Sequence, residues 1–329
     1  SDVCSSDLYS KWLKLANSVK LRLAMRICYV KPDLAKQYAM EAVRDGVMET
    51  ADDSALFQSW GSITIINPLE KIWNGYSDTR MGASMDSYLN GYNDPRLPVY
   101  FQPVTEGDNK GEYRGVANGM PNPQQEDYKA MSAPNVQEKS TDSPLRWMMA
   151  SEVAFLRAEG AMRGWTAEMG GTAEEFYNKG IELSFLENGL SADAAARYAA
   201  DETSKPTDFT DVSTANTKYN ISALGKITIK WNAGASEEEQ LERIITQKWI
   251  AMFPNGTEAW SEFRRTGYPL IFPVRSNYPT SGVDTNKQIR RMVFPQSEYS
   301  NNGAAVQEAV KLLGGPDNGG TKLWWDKKN

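Results

Sequence analysis

Along most of this chain apolar residues recur at the three-and-four spacing of an amphipathic helix, and only briefly at the alternate spacing of a strand. Residues 11–30 place Trp12, Leu15, Ala16, Val19, Leu23 and Ile27 at helical spacing, with Lys14, Arg22 and Arg26 among them. Pro32 stops that helix, Asp33 is placed to cap the next, and Leu34, Tyr38, Ala42 and Val43 carry a second stripe towards Gly46. A three-residue connection makes the two a helical hairpin. The pattern returns at 144–165, through Trp147, Met148, Val153, Leu156, Ala161 and Met162. Thr172 and Glu175 then form a T-x-x-E capping box for a helix through Phe176, Ile181, Leu183 and Phe185, which stops at Asn188-Gly189.

This second pair, with its small Ala158, Gly160 and Gly180 and with Tyr177, resembles a degenerate tetratricopeptide unit, in which small residues let helices approach closely. Further helices are predicted at 191–200, from the Ser236/Glu239 capping box to Phe253, and at 304–313. Strand signals are confined to 62–66 and 226–231. Residues 90–143 are rich in Pro, Gly and Asn but retain Tyr92, Tyr100, Phe101 and Tyr113, which predicts an ordered, loop-rich surface rather than a linker. The expected fold is mainly α: helical pairs supporting long loops, with few short strands. Long loops on a rigid scaffold are where ligands usually bind.

Composition narrows the chemistry. The 329 residues contain no histidine, which removes Ser-His-Asp and Cys-His nucleophiles and His-ligated zinc. Cys4 and Cys28 are too few for a disulfide scaffold, and Cys28 reads as a small buried hydrophobe. A net charge of -6 without a basic run argues against nucleic acid as a partner. The longest apolar runs fall far short of the roughly 20 residues that span a bilayer. Residues 1–8 have neither signal-peptide nor lipidation character and read as foreign to the fold. The remaining 9–329 read as one domain lacking its N-terminal part.

With histidine excluded, the enzymatic reading that remains is a paired-carboxylate glycosidase. Glu152 and Glu159 share a helix face two turns apart, but salt-bridged or solvated helix carboxylates are the reading favoured for them. Asp52, Asp53, Asp78 and Asp86 lie near loops and are candidates for a structural calcium, although no EF-hand loop is present. Sugar rings stack their C–H faces on Trp and Tyr while amides and Arg fix the hydroxyls. By that chemistry the ligand-binding candidates are Trp60, Trp73, Asn74, Tyr76, Arg80 and Tyr92.

Four longer motifs carry a resemblance: KWLKLANSVKLRLAMR at 11–26, NDPRLPVYF at 93–101, SEVAFLRAEGAMRGW at 151–165 and QKWIAMFPNGTEAWSEFRRTGYP at 247–269. A closing TKLWWD at 321–326 joins them, and together they span nearly the whole chain. As a set they resemble the SusD/RagB family of nutrient-binding outer-membrane lipoproteins. The resemblance implies four tetratricopeptide-like helix pairs, no catalysis, and a lipid anchor on the outer face of the outer membrane. It also implies partnership with a SusC-like TonB-dependent transporter, which receives oligosaccharides or peptides. No family ligand residue carries over to a position here, so the site candidates rest on loop chemistry. A protein-binding tetratricopeptide scaffold is the further alternative. The aromatic, charged run at 248–269 is expected to be structural: Asn255 and Glu258 cap a helix, Arg264 covers Trp260, and Arg265 pairs with Glu262.

Overall fold

The computed structural model describes residues 6–59, 64, 66–120, 125–135, 144–211 and 219–328. In chain order the helices and strands are α1 (Ser6–Arg26), α2 (Pro32–Arg44), β1 (Ala55–Phe57), α3 (Pro68–Glu70), α4 (Ala83–Gly91), α5 (Leu97–Tyr100), α6 (Gln125–Tyr128), β2 (Leu145–Met148), α7 (Ala150–Gly160), α8 (Thr166–Met169), α9 (Ala173–Leu186), α10 (Ala192–Ala199), α11 (Glu237–Ala251), α12 (Gly256–Thr266) and α13 (Gln296–Leu313). The first turn of α1 contains Ser6 to Leu8, the end of the segment that the sequence set apart.

Helix α1 packs against α2 as the predicted hairpin, and α7 packs against α9 as the second. Gly180 of α9 sits so close to α7 that a Cβ there would lie 2.7 Å from the Phe155 ring. The Thr172–Glu175 box is present in both directions. Ser236 accepts from the Glu239 amide as expected, but the Glu239 carboxylate turns towards Arg243 at 3.4 Å. Asn255 likewise caps α12 by accepting from the Glu258 amide.

Two cores result. One joins α1, α2, α7 and α9 around Leu21, Met25, Val153 and Leu156; Cys28 is buried there. The other joins α4, α5, α7, α9, α10 and α11 around Tyr88, Phe155, Tyr177 and Ile244.

Between the hairpins runs a buried ion network. Arg22 holds Glu152 with two bonds of 2.7 Å. Arg265 spans Glu159, at 2.7 and 2.6 Å, and Glu262, at 2.9 and 2.7 Å. Lys248 joins Glu262 at 3.0 Å, and Arg163 joins Glu159 at 2.8 Å. Arg264 lies 3.5 Å over the Trp260 ring. The run at 248–269 is therefore structural, as its spacing implied. Glu152 and Glu159 are salt-bridged but buried, not solvated. The NDPRLP motif builds a second such centre. Arg96, with no exposure, donates to both Asp94 oxygens, to Ser184 and to Gln247, between the rings of Phe185 and Tyr198.

The strands differ from expectation. Residues 145–148, read as the start of a helix, form β2 and pair antiparallel with β1, while α7 begins at Ala150. Residues 226–231 alternate buried Ile227, Ile229 and Trp231 with more open positions, yet among the described residues no strand pairs with them. Side chains replace that partner: the Ile227, Thr228 and Ile229 carbonyls accept from Tyr92, Arg243 and Tyr177. Most of the predicted strand at 62–66 lies outside the described residues. Helix α13 starts earlier than predicted, at Gln296, with a non-helical break at Asn302.

Candidate functional site

Asn67 opens the segment that carries most of the predicted ligand residues, its side chain accepting from the Leu69 amide. The segment continues through α3 into a wide helical turn at Lys71–Gly75, so the Trp73-Asn74-Gly75-Tyr76 stretch is helical where the sequence suggested a loop. The turn ends at Tyr76, and Ser77 follows with a positive φ of 53°.

Arg80 organises what comes next. Its guanidinium lies 4.7 Å over the Trp73 ring and donates to the carbonyls of Ser77, Thr79, Tyr128 and Lys129 at 2.6–3.2 Å. Partial burial lowers its pKa. Four of the five guanidinium donors are thus taken by backbone, so Arg80 is the clamp that fixes this segment against α6.

Residues 79–83, 112–120 and 128–135 are then hydrogen-bonded edge to edge. Met81 N donates to Ser132 O, Val116 N to Met81 O, and Ser132 N to Arg114 O. Buried Asp86 accepts from Gly115 N at 2.6 Å and from Asn90. At Gly119, φ is 71° and a Cβ would lie 2.2 Å from Val274, so the turn over α4 requires glycine there.

A cleft of about 690 Å³ opens over this platform, lined by Ser77, Asp78, Arg80, Asn118, Met120 and Lys129. Tyr76, at 62% exposure, is the free aromatic of the segment. A second groove, of about 610 Å³, is bounded by Asn67, Leu69 and Ile72 of the same segment. The segment from Asn67 to Arg80 therefore borders two openings.

Two of the six candidates, Trp73 and Arg80, are brought together here, and Tyr76 is exposed on the same segment. Trp60 and the Asn74 side chain lie outside the described residues. Tyr92 is a correction: it is 1% exposed, packs edge-on to Tyr88 at 5.8 Å and donates its hydroxyl to Ile227 O, so no ligand reaches it. Its position at the end of α4, beside a Gly- and Asn-rich stretch, hid the fact that the helix turns it inward. The calcium candidates do not converge. Asp53 is occupied by Lys14 and the Glu49 and Thr50 amides, Asp86 by Gly115 and Asn90, and among the described residues no three His, Cys, Asp or Glu side chains form a metal-binding group. The cleft polar groups Asn118 and Lys129 were missed, because they come from residues 112–129, a stretch without periodicity.

A family model described as Susd and RagB outer membrane lipoprotein matches residues 1–326. The chain belongs to the SusD-like family. Among solved structures, a chitin-binding SusD homologue from Flavobacterium johnsoniae is 43% identical, with a TM-score of 0.89. That match covers 98% of this chain and 64% of the homologue. A SusD-like protein from Bacteroides thetaiotaomicron is 45% identical with a TM-score of 0.87, covering 96% and 64% of the two chains. A SusD homologue from Bacteroides vulgatus is 38% identical with a TM-score of 0.90, covering 97% and 63%. This SusD-like chain thus spans slightly under two thirds of the length of these relatives. No protein of curated function matches it. The helical, tetratricopeptide-like architecture expected from the sequence is the architecture of the family. No described helix is long and apolar enough to cross a membrane.

Proposed function

We propose that this SusD-like chain is a non-catalytic receptor that binds an oligosaccharide at the cell surface and delivers it to a partner TonB-dependent transporter. It acts from the outer face of the outer membrane, held there by a lipid anchor. The observation that carries the reading is a cleft lined by an amide, a carboxylate, an ammonium group and Arg80, which lies over the Trp73 ring, with Tyr76 exposed next to the lining residue Ser77 in the chain. Such a site offers a stacking surface and hydrogen bonds to ring hydroxyls without an acid–base pair. The chitin-binding relative supports a glycan as ligand and makes chito-oligosaccharides the first to test.

The glycosidase reading loses its best carboxylates. Glu152 and Glu159 are enclosed in bidentate ion pairs, and Arg265 and Arg163 hold the Glu159 carboxyl down at about 2 despite its burial, the reverse of what a general acid needs.

An open site of this kind predicts dissociation constants on the order of micromolar to millimolar. Titration calorimetry with chito-oligosaccharides should show binding by the wild type and a loss of at least about tenfold in a Trp73→Ala/Tyr76→Ala variant. Unchanged affinity in that variant sinks the platform, and release of shorter sugars on prolonged incubation sinks the non-catalytic reading.

A further inference from the structure

The closing TKLWWD run lies outside the proposed glycan cleft, and its two tryptophans have opposite fates. They occupy the middle of a turn in which Asp326 N donates to Leu323 O at 3.0 Å. Trp325 is held by two guanidinium groups, with Arg26 5.1 Å and Arg264 4.8 Å from its ring centroid. Asp326 has no exposure and accepts from Arg290 at 2.8 and 2.6 Å. These anchors fix the turn, yet Trp324 beside them stays 63% exposed. It is not an isolated apolar group. Residues 287–293 run alongside, joined to this segment by Arg290 N on Gly319 O at 2.7 Å and by the Arg290–Asp326 pair. They bury Arg290 and Arg291 but leave Ile289, Met292 and Val293 exposed.

The free charge on these two segments is positive. Partial burial lowers the pKa of Lys322; Asp326 opposes that, and Arg290, Lys287 and Lys327 add to it, so the three lysines share one neighbourhood. Among the described residues none of the three ammonium groups has a hydrogen bond or ion pair. The carboxylates closest to them in the chain are already engaged. Asp326 holds Arg290, Asp317 holds Arg291 and the Tyr299 hydroxyl, and Asp284 accepts from the Asn286 and Lys287 amides. Residues 271–329 contain eight Lys and Arg against five Asp and Glu, in a chain whose net charge is -6.

An exposed indole among unpaired lysines, on a basic stretch of an acidic chain, suits an anionic membrane surface. The ammonium groups meet headgroup phosphates while the indole lies at the boundary with the acyl chains. A free phosphate would use the lysines and leave the indole idle. We propose that Trp324, Lys287, Lys322 and Lys327 form a membrane-docking face that seats this chain on anionic lipid headgroups. This rests on the outer-membrane placement proposed above. It adds a contact that orients the body on the membrane, which a flexible lipid anchor alone does not do.

The test is co-sedimentation of the purified chain with phosphatidylcholine vesicles, with and without phosphatidylglycerol. It compares wild type, Lys287→Gln/Lys322→Gln/Lys327→Gln, Trp324→Ala and, as a control on exposed α13, Lys311→Gln. Melting curves check that each variant is folded. The expected result is binding only where phosphatidylglycerol is present, weakened by salt and unchanged in Lys311→Gln. Affinity should fall at least about tenfold in the triple variant and about threefold in Trp324→Ala. Equal binding to both kinds of vesicle, a folded triple variant within about twofold of wild type, or an equal loss in Lys311→Gln overturns the docking face. Displacement by inorganic phosphate at constant ionic strength also overturns it, since that marks a small-anion site. Calorimetry separates this from the receptor reading. Wild type that binds chito-oligosaccharides but no vesicle removes the docking face and leaves the receptor standing. Wild type that binds phosphatidylglycerol vesicles but no chito-oligosaccharide keeps the face and removes that sugar.

Discussion

Replacing Arg265 by Met tests whether the buried ion network holds the helical pairs together. Arg265 has no exposure and makes four charge-assisted bonds to Glu159 and Glu262, on α7 and α12. Its loss strands two buried carboxylates, which retain Arg163 on Glu159, and Lys248 and the more distant Arg26 on Glu262. Removing one partner of a buried pair typically costs about 3–5 kcal/mol, because the other charge stays buried. The Glu159 carboxyl points the same way: burial alone would raise its pKa, and Arg265, with Arg163, holds it below the ordinary carboxylate range. At about 2 °C per kcal/mol for a chain of this size, the melting temperature should fall by about 6–10 °C.

Urea denaturation and calorimetry near neutral pH measure this. The Arg265→Met/Glu159→Met double variant should be at least about 1 kcal/mol more stable than the sum of the single effects predicts, since one stranded charge is gone. The pH dependence has a definite sign. The folded value of Glu159 lies below its unfolded one, so its contribution is complete above about 4.5 and is lost as pH falls towards about 2. Wild type should therefore lose more stability than Arg265→Met across that interval. An Arg265→Met variant within about 1 kcal/mol of wild type, or strict additivity in the double, refutes the reasoning.

Two other perturbations read different parts of the fold. Glu242 has a buried oxygen without a hydrogen-bond partner among the described residues, and burial raises its pKa to about 7. The folded state therefore binds this proton more tightly, and the associated stability is lost as pH rises from about 4.5 through about 7. Glu242→Gln should be nearly neutral at low pH and stabilising by about 1–2 kcal/mol above pH 7, the size reduced because the site is partly open to water. Equal effects at both ends of the range, followed by thermal melts, contradict that. Gly180→Ala pushes a methyl against the fully buried Phe155 ring and should destabilise by about 1–3 kcal/mol in urea titration, and an unchanged midpoint means that α7 and α9 can separate freely.

Most of the helical scaffold was legible in the sequence because its signals are local. Capping residues and apolar stripes act within one or two turns, and Thr172, Ser236 and Asn255 stand where the helices begin, whereas Asp33, read as a cap, lies inside α2, which opens at Pro32 without a side-chain cap. The local contacts of Arg264 and Arg265 could be read, since Trp260 and Glu262 lie three or four positions away on one helix, but the reach of Arg265 to Glu159 on α7 could not. Tyr92 could not, because the sequence gives its neighbours in the chain but not the direction in which α4 turns it. The strand at 145–148 was read as helix for a related reason: four residues are too few to separate the two periodicities, and its partner β1 lies about ninety residues away.

The sequence by itself determined that this protein is a histidine-free helical scaffold, with hairpins whose small residues allow close packing and a long stretch of structured loop. Tertiary structure alone decided which aromatics and charges are available. Arg80 and Arg96 are both arginines in loop-like contexts, yet one clamps four carbonyls beneath an open cleft and the other is sealed between two rings. Trp147 and Trp231 likewise differ only in what folds over them: one is half exposed beside a groove and the other buried against Tyr177. Burial is set by elements remote in sequence, and with it whether a side chain serves the core or meets a ligand.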